Sequence, residues 1–262
     1  MITGWGAWLK ALRGLFIFGS GAINTVMTDL KADVRLSAIV PVWNEAAAIG
    51  ALLQSLQPLR AAGHEVIVAD GGSTDGTQDL ARFGCDQLVS LELGRSAQMN
   101  AGAAVAQGEV LVFLHADTQL PADAVQQLQA FWPRPNVWGR FDVRLSGSRP
   151  LFRVISWFMN KRSRLTGICT GDQAMFVRRD TFEALGGFAL QPLMEDIELS
   201  RRLRDVSRPF CIASPVITDS RRWQQQGAWA TILLMWRLRW RYWRGESAES
   251  LAQTYRSDVR NA

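Results

Sequence analysis

From Leu36 onward, apolar and polar positions alternate in blocks of two kinds. "LSAIVPV" (36–42), "EVIVAD" (65–70), "QLVSLE" (87–92) and "EVLVFLHAD" (109–117) are short runs dense in Val, Ile and Leu. Runs of that length and make-up predict strands buried on both faces. Between them, "NEAAAIGALLQSLQPLRAAG" predicts a helix ending near Gly63, and "TDGTQDLARFG" a helix that Asp75 or Thr74 caps. "SAQMNAGAAVAQG" reads as a third helix, built of small residues. Strands alternating with helices predict an α/β fold: a mainly parallel, Rossmann-like central sheet with helices on both faces. Ligands of such sheets bind at the carboxyl ends of the strands. Asn44, Glu45, Asp70, His115 and Asp117 all fall at predicted strand ends and should share one rim.

After Pro121 the alternation loosens. "NVWGRFDVRLSG" resembles a strand, "LFRVISWFMNKRSR" an amphipathic helix, "DQAMFVRR" another strand and "MEDIELSRRLR" a short helix. Extended "RPFCIASPVITDS" follows, then a long helix over about residues 224 to 244. The expected organisation is an N-terminal extension (1–34), one main domain (35–223) and a C-terminal basic, aromatic helical region (224–262). "GLFIFGSGAINTV" in the extension is too short to cross a bilayer. A weak signal peptide, a surface anchor and a start at Met27 all remain open for it. Its Gly19-Ser-Gly21 is no dinucleotide fingerprint, since Asn24 stands where the third glycine should be.

Composition narrows the chemistry. Cys85, Cys169 and Cys211 form no CxxC pair, and His64 and His115 are the two histidines of the chain. Neither a disulfide framework nor a zinc site is suggested, a multi-histidine centre is excluded, and reduced thiols in the cytoplasm are expected. The net charge of +5 is modest, but arginines crowd the last third among many of the 11 tryptophans. Trp229, Leu233, Trp236, Trp240 and Trp243 recur at helical spacing, with Arg237, Arg241 and Arg244 on a neighbouring face. Two readings stay open. One is a terminal helix packed on the sheet with solvated arginines; the other is an in-plane helix touching an anionic membrane at its inner face. No partner of the nucleic-acid class is expected.

Three stretches carry candidate chemistry. "ADGGSTDGT" (69–77) ends a buried strand in Asp70, an acceptor for imide or hydroxyl donors. Gly71 and Gly72 then let a flat ring approach the backbone. "FLHADT" places Asp117 where it suits a hard divalent cation or, more blandly, caps the following helix. "PLMEDIELS" pairs Glu195 with Asp196 at a helix start, where acids also favour the macrodipole; as chemistry, the pair offers a base and an orienting group.

Taken in order, "IVPVWNEAAAI", "EVIVADGGSTDGT", "GEVLVFLHADT", "TGDQAMFVRR" and "LMEDIELSRRL" resemble family 2 glycosyltransferases of the GT-A fold. The likeness runs from about Leu36 to Trp223, and its subgroup is bacterial with a poorly defined acceptor. It implies an inverting transfer from a nucleoside-diphosphate sugar, UDP- or GDP-linked, assisted by Mg2+ or Mn2+. Pro41, Val42, Asn44 and Glu45 then surround the nucleoside; Asp70 reads the base, with Gly71, Ser73 and Asp75 in the same loop. Arg95 lies near base or diphosphate, Asp117 is the last acid of the metal motif, and His115 either contacts ribose or is a core histidine. Asp196 is the catalytic base with Glu195 beside it. Gly171, Asp172, Gln173, Arg222 and Trp223 fall on the acceptor side.

Two departures matter. His115 replaces the first acid of the metal motif, which weakens metal binding. Asp219 takes the glutamine position of the motif typical of polymerising members, which favours a single transfer. The acceptor is then a hydroxyl or phosphate, with a polyprenyl phosphate or lipid-linked glycan as candidates. A non-catalytic nucleotide-sugar-binding regulator is the rival of another class, and the intact Glu195-Asp196 pair counts against it. A sugar nucleotidyltransferase would need a glycine-rich basic loop where "PVWNEAAAIG" is acidic.

Overall fold

The computed structural model describes residues 34–91, 94–225 and 227–260. The expectations for the N-terminal extension lie outside them. Val34 already belongs to the folded body, since its backbone N–H and C=O both bond the Gln129 side chain at 2.9 Å.

Eight strands form one sheet. In chain order they are β1 (Leu36–Val42), β2 (Glu65–Asp70), β3 (Gln87–Ser90), β4 (Val110–Phe113), β5 (Thr118–Gln119), β6 (Trp138–Leu145), β7 (Phe176–Arg178) and β8 (Phe210–Thr218). Their spatial order is β3-β2-β1-β4-β7-β6-β8-β5. The first four pair in parallel, as their βαβ rhythm predicts. The second half is mixed. β7 runs antiparallel between β4 and β6, and β5 antiparallel to β8, whereas β6 and β8 are parallel. The sheet is thus less parallel than the apolar runs imply, because strand direction is set by connections that leave no mark on the strand itself.

Alternation along the strands feeds two cores. Ala38, Val40, Val66, Val68, Val110 and Val112 point to one face. There they meet Ile49, Leu52, Leu53 and Leu56 of α1 (Ala46–Ala61) and Leu128 and Phe131 of α4 (Ala124–Phe131). Ile39, Ile67, Leu111 and Phe113 point the other way. Their partners are Met99 and Ala103 of α3 (Arg95–Val105), Phe182 of α6 (Arg179–Ala184), and Leu199 and Leu203 of α7 (Glu195–Val206). Residues at i and i+2 share a face of a strand, so one β-branched run serves both layers. The three cysteines are free thiols.

α2 (Thr77–Ala81) starts after Gly76, whose φ of +89° suits glycine. Asp75 Oδ1 accepts from the Thr77 amide and hydroxyl, so Asp75 steadies that turn and Thr74 does not cap it. Asp117 precedes β5 and does not cap α4, whose N-cap position is Asp123.

α5 (Pro150–Thr166) lies on β6, with Ser156 Oγ donating to Phe152 and accepting from the Leu145 amide. The tail forms α8 (Arg221–Gln225), α9 (Ala228–Trp243) and α10 (Ala248–Arg260). Ala228 and Ile232 of α9 pack on Phe152 and Ile155 of α5. Leu238 of α9 and Leu251 of α10 close over Met194, the residue before α7. The packed reading therefore holds for one side of the tail. One side is packed, while Trp229, Trp236, Trp240 and Trp243 are 56–75% exposed. Among the described residues, no helix is long and apolar enough to cross a membrane.

Candidate functional site

The parallel register pairs Val42 with Asp70, so β1 and β2 end side by side. Asn44 turns the chain at φ +54°, a left-handed conformation asparagine tolerates. Its amide donates to Ser73 Oγ, and its side-chain oxygen accepts from the Thr74 amide. The Glu45 and Ala46 amides donate to Thr77 Oγ1 and Asp75 Oδ2. Two loops distant in sequence are thereby sewn into one wall.

Asp70 is fully buried. Its Oδ2 accepts from the Gly72 and Ser73 amides and from Gln78 Nε2, at 2.7–3.0 Å. Burial alone would raise its pKa, but the hydrogen bonds from Ser73, Gln78 and Gly72 outweigh it and the net shift is downward. Oδ1 is buried without a hydrogen-bond partner among the described residues, an orphaned acceptor at the end of the strand. Beside it, Gln98 of α3 donates from Nε2 to the carbonyls of Val42 and Ala69. A Cβ on Gly71 would press on that amide. The sequence reading missed Gln98; its signal was one long polar side chain on the sheet-facing side of a small-residue helix.

His115 follows β4. Burial and the nearby Arg95 guanidinium push its imidazole down to about 4, although Asp117 and Asp196 pull the other way. It is therefore neutral at physiological pH, 3.8 Å from Asp172 Oδ1. Asp117 is exposed, and its Oδ1 accepts from Thr118 Oγ1. Its carbonyl accepts from the Asp219 amide, and Asp219 in turn pairs with Arg221 Nε at 2.6 Å. A cleft of 270 Å³ opens here, lined by Ala47, Ala48, Asp117, Gln119, Asp219 and Arg221 among others. Asp219, first noted as a departure from a motif, thus lines the same cleft as Asp117. Glu45 senses both sides: burial and Asp117 raise its pKa, while Arg221 and Arg95 oppose them.

The third element is the start of α7. Met194 takes φ +67° and aims the next two side chains. Asp196 Oδ2 accepts from the Gly171 amide at 2.8 Å, and Oδ1 from its neighbour Ile197. Gly171 opens the short 3-10 turn Gly171–Gln173, which Thr170 and Gln173 close reciprocally. A Cβ on Gly171 would collide with the His115 imidazole, so glycine is required there. Glu195 is buried, and burial together with the Asp196 charge pushes it up to about 7, against Arg95. Arg95, first residue of α3, is thus felt by Glu45, His115 and Glu195 alike. Trp223 packs on the Leu145–Phe152–Ile155 cluster. The Arg222 side chain lies outside the described residues.

A family model for glycosyl transferase family 2 matches residues 37–186, more than half the chain. The chain belongs to that family. Among family proteins, it is 26% identical over 270 aligned residues to a beta-monoglucosyldiacylglycerol synthase of Synechocystis, covering 86% of this chain and 56% of that one. It is 32% identical over 177 residues to a PGL/p-HBAD biosynthesis glycosyltransferase of Mycobacterium bovis, covering 61% and 65%. The chain spans about half the length of the glucosyldiacylglycerol synthases it matches. In fold it resembles a Pyrobaculum calidifontis mannosyltransferase solved with GDP-Man and Mn2+, with a TM-score of 0.58 and 24% identity. That likeness covers 79% of this chain and 60% of that one. It also resembles S. aureus TarS bound to UDP-GlcNAc, with a TM-score of 0.57, 18% identity and coverage of 71% and 59%. The fold is that of GT-A glycosyltransferases.

A divalent cation fits the side chains gathered here only as a shared guest. Among the described residues, no three His, Cys, Asp or Glu side chains gather into a metal site. What stands ready is the exposed Asp117 carboxylate with a neutral imidazole two residues before it. That suits a hard ion drawing most of its ligands from a diphosphate.

Proposed function

We propose that this chain transfers one sugar from a UDP- or GDP-linked donor to a hydroxyl or phosphate on a lipid-linked acceptor, with inversion. One observation carries the reading. His115 feels Arg95, Asp117 and Asp196 together, and Asp196 is bonded to Gly171 across from it. Side chains from the loop after β4, from α3 and from α7 therefore gather at the strand ends.

Asp70 and the loop Gly71–Asp75 hold the nucleoside, with Pro41, Val42 and Asn44 as the facing wall. Arg95 balances charge on the departing diphosphate. Asp117 would hold the cation, which when bound supplies Lewis-acid stabilisation of that leaving group. Burial and the Asp196 charge raise Glu195 to about 7, so it is only partly ionised near neutral pH, and the acceptor-facing carboxylate is left to Asp196. As the acceptor oxygen attacks the anomeric carbon, Asp196 takes its proton. Gly171, Asp172 and Gln173 fix the acceptor's approach, and much of the rate comes from holding both substrates in line.

A lipid acceptor is supported by the diacylglycerol named for the cyanobacterial relatives. The outward tryptophans of α9, flanked by Arg237 and Arg244, support peripheral contact with an anionic membrane at its cytoplasmic face. A thermal-shift screen of nucleotide sugars, with and without Mn2+, tests the donor side. Stabilisation by a UDP- or GDP-sugar that Mn2+ strengthens is the expected result; no response to any nucleotide sugar defeats the reading.

A further inference from the structure

Helix α5 is apolar on two sides. Its inner side carries Phe152 and Ile155, buried with Leu145. Val154, Phe158, Lys161 and Leu165 recur at steps of three and four residues and so share another face, with Trp157 beside them. Trp157, Phe158 and Leu165 are 54%, 62% and 85% exposed. The Trp157 and Phe158 rings meet edge to face at 4.9 Å, and the Lys161 ammonium lies 5.7 Å from the Trp157 ring. A helix that merely covers a sheet needs one apolar face, not two. Exposed aromatics with a long cation laid against them are the make-up of a helix lying in a lipid interface.

The charge around that face is of one sign. α5 carries Arg153, Lys161, Arg162 and Arg164, and neither it nor α9 has an Asp or Glu. A second copy of this chain would set those cations against themselves, whereas an anionic bilayer answers them. At the C-terminal end of α5 the stripe runs into a cavity of 450 Å³. Arg164, Leu165, Gly167, Arg204, Arg208 and Cys211 are among its walls, and no carboxylate of the described residues lines it. Arg164 is held by Asp142 Oδ2 at 2.7 Å. Arg204, near the end of α7, and Arg208, just before β8, pair with no carboxylate among the described residues. Gly167, at φ +66°, lets the backbone lie against Arg204, since a Cβ there would stand 3.0 Å from the arginine Cδ.

We propose that the outer face of α5 beds in a bilayer of anionic lipid and that this cavity takes the phosphate of one lipid headgroup. It rests on the membrane contact proposed above, to which it adds a second helix and a lipid class. Leu165 ties the two halves together, because it ends the exposed stripe and forms part of the cavity wall. A lipid chain lying along the stripe thus brings its phosphate to Arg204 and Arg208. Three guanidinium groups lining one concave space repel each other and focus positive potential there. A phosphate relieves that repulsion and accepts charge-assisted hydrogen bonds from their planar forks.

The test floats the full chain on vesicles of phosphatidylcholine, alone or mixed with phosphatidylglycerol. The parent should float with the mixed vesicles only. Trp157→Ala combined with Phe158→Ala should weaken that binding by about tenfold or more and leave the melting temperature unchanged, since both side chains are exposed. Arg204→Gln and Arg208→Gln should each weaken it by about tenfold or more, against about fivefold at most for Arg153→Gln, a cation of α5 outside the cavity. Losses no larger than that of Arg153→Gln overturn the headgroup site. So does a thermal response to glycerol 1-phosphate that Arg204→Gln abolishes while flotation is unchanged, which assigns the cavity to a soluble phosphate. Unchanged flotation of the Trp157, Phe158 variant overturns the α5 contact. A fall in its melting temperature then assigns the face to a segment of this chain, and loss of a dimer assigns it to a second copy. Flotation lost only through Trp236→Ala with Trp240→Ala removes this inference and keeps the contact of α9; a parent that floats with neither vesicle removes both.

Discussion

The backbone amide of Gly171 donates to Asp196 Oδ2 at 2.8 Å, joining a turn after α5 to the first turn of α7. That bond and the one from the Ile197 amide to Oδ1 hold both carboxylate oxygens in place at the start of α7. Asparagine keeps an oxygen for one of those two amides but cannot take a proton, so it separates most of the structural role of Asp196 from the chemical one.

Asp196→Asn is therefore expected to fold with a melting temperature within a few degrees of the parent and to bind the donor unchanged. Transfer should fall by about a thousandfold or more, on the scale of losing a general base. Coupled measurement of donor affinity and turnover checks it; joint loss of both would assign Asp196 to binding.

Gly171→Ala tests the packing of the same turn. The added methyl runs into the His115 imidazole, and overpacking of this kind costs about 1–3 kcal/mol. A lowered unfolding midpoint in urea, with turnover reduced more than donor binding, is the expected pattern.

Glu195 gives a pH signature. Its pKa rises from 4.5 to about 7 on folding, so the folded chain holds the extra proton between those values. The associated stability is complete below about pH 4.5 and disappears as pH climbs through 7. Glu195→Gln should match the parent near pH 5 and exceed it at pH 8, by on the order of 3 kcal/mol at most. Denaturant melts at the two pH values measure this; a variant equally stable or weaker at pH 8 contradicts it.

Most of the parallel half of the sheet was legible in sequence, because Val40, Ile67 and Val112 sit in runs too apolar for anything but a strand buried on both faces. The carboxyl-end rule then brought Asp70 and Asp117 to one rim before any coordinates. The antiparallel β7 was not legible: three residues, Phe176–Arg178, carry no signal of direction. Nor was Gln98, since its partners are the carbonyls of Val42 and Ala69, distant in sequence. The tail was half legible. Helical spacing revealed the tryptophan stripe, but only packing on Phe152 and Met194 shows which side of α9 turns inward.

Trp236→Ala and Trp240→Ala together remove side chains 66% and 56% exposed, so stability should stay within about 0.5 kcal/mol. Flotation with vesicles of anionic lipid should drop severalfold, and salt should weaken what the parent retains. Equal flotation of parent and variant would detach α9 from the membrane.

Asp70→Ala should lower stability by about 1–3 kcal/mol, because it removes Oδ2, which alone serves Gly72, Ser73 and Gln78. Thermal melts with and without nucleoside diphosphates check both the loss and an accompanying drop in ligand response.

On the nucleoside reading proposed above, the lone buried oxygen left over on Asp70 would bear on which nucleotides are turned away. Where a base abuts that atom, a ring N–H gains a bond, whereas a ring nitrogen bearing its own lone pair is repelled. Cytosine and adenine present such a nitrogen on the edge where uracil and guanine present hydrogen. A single unanswered atom at the tip of β2 would thus sort the cell's activated sugars by the nucleobase they carry, before the sugar is ever inspected.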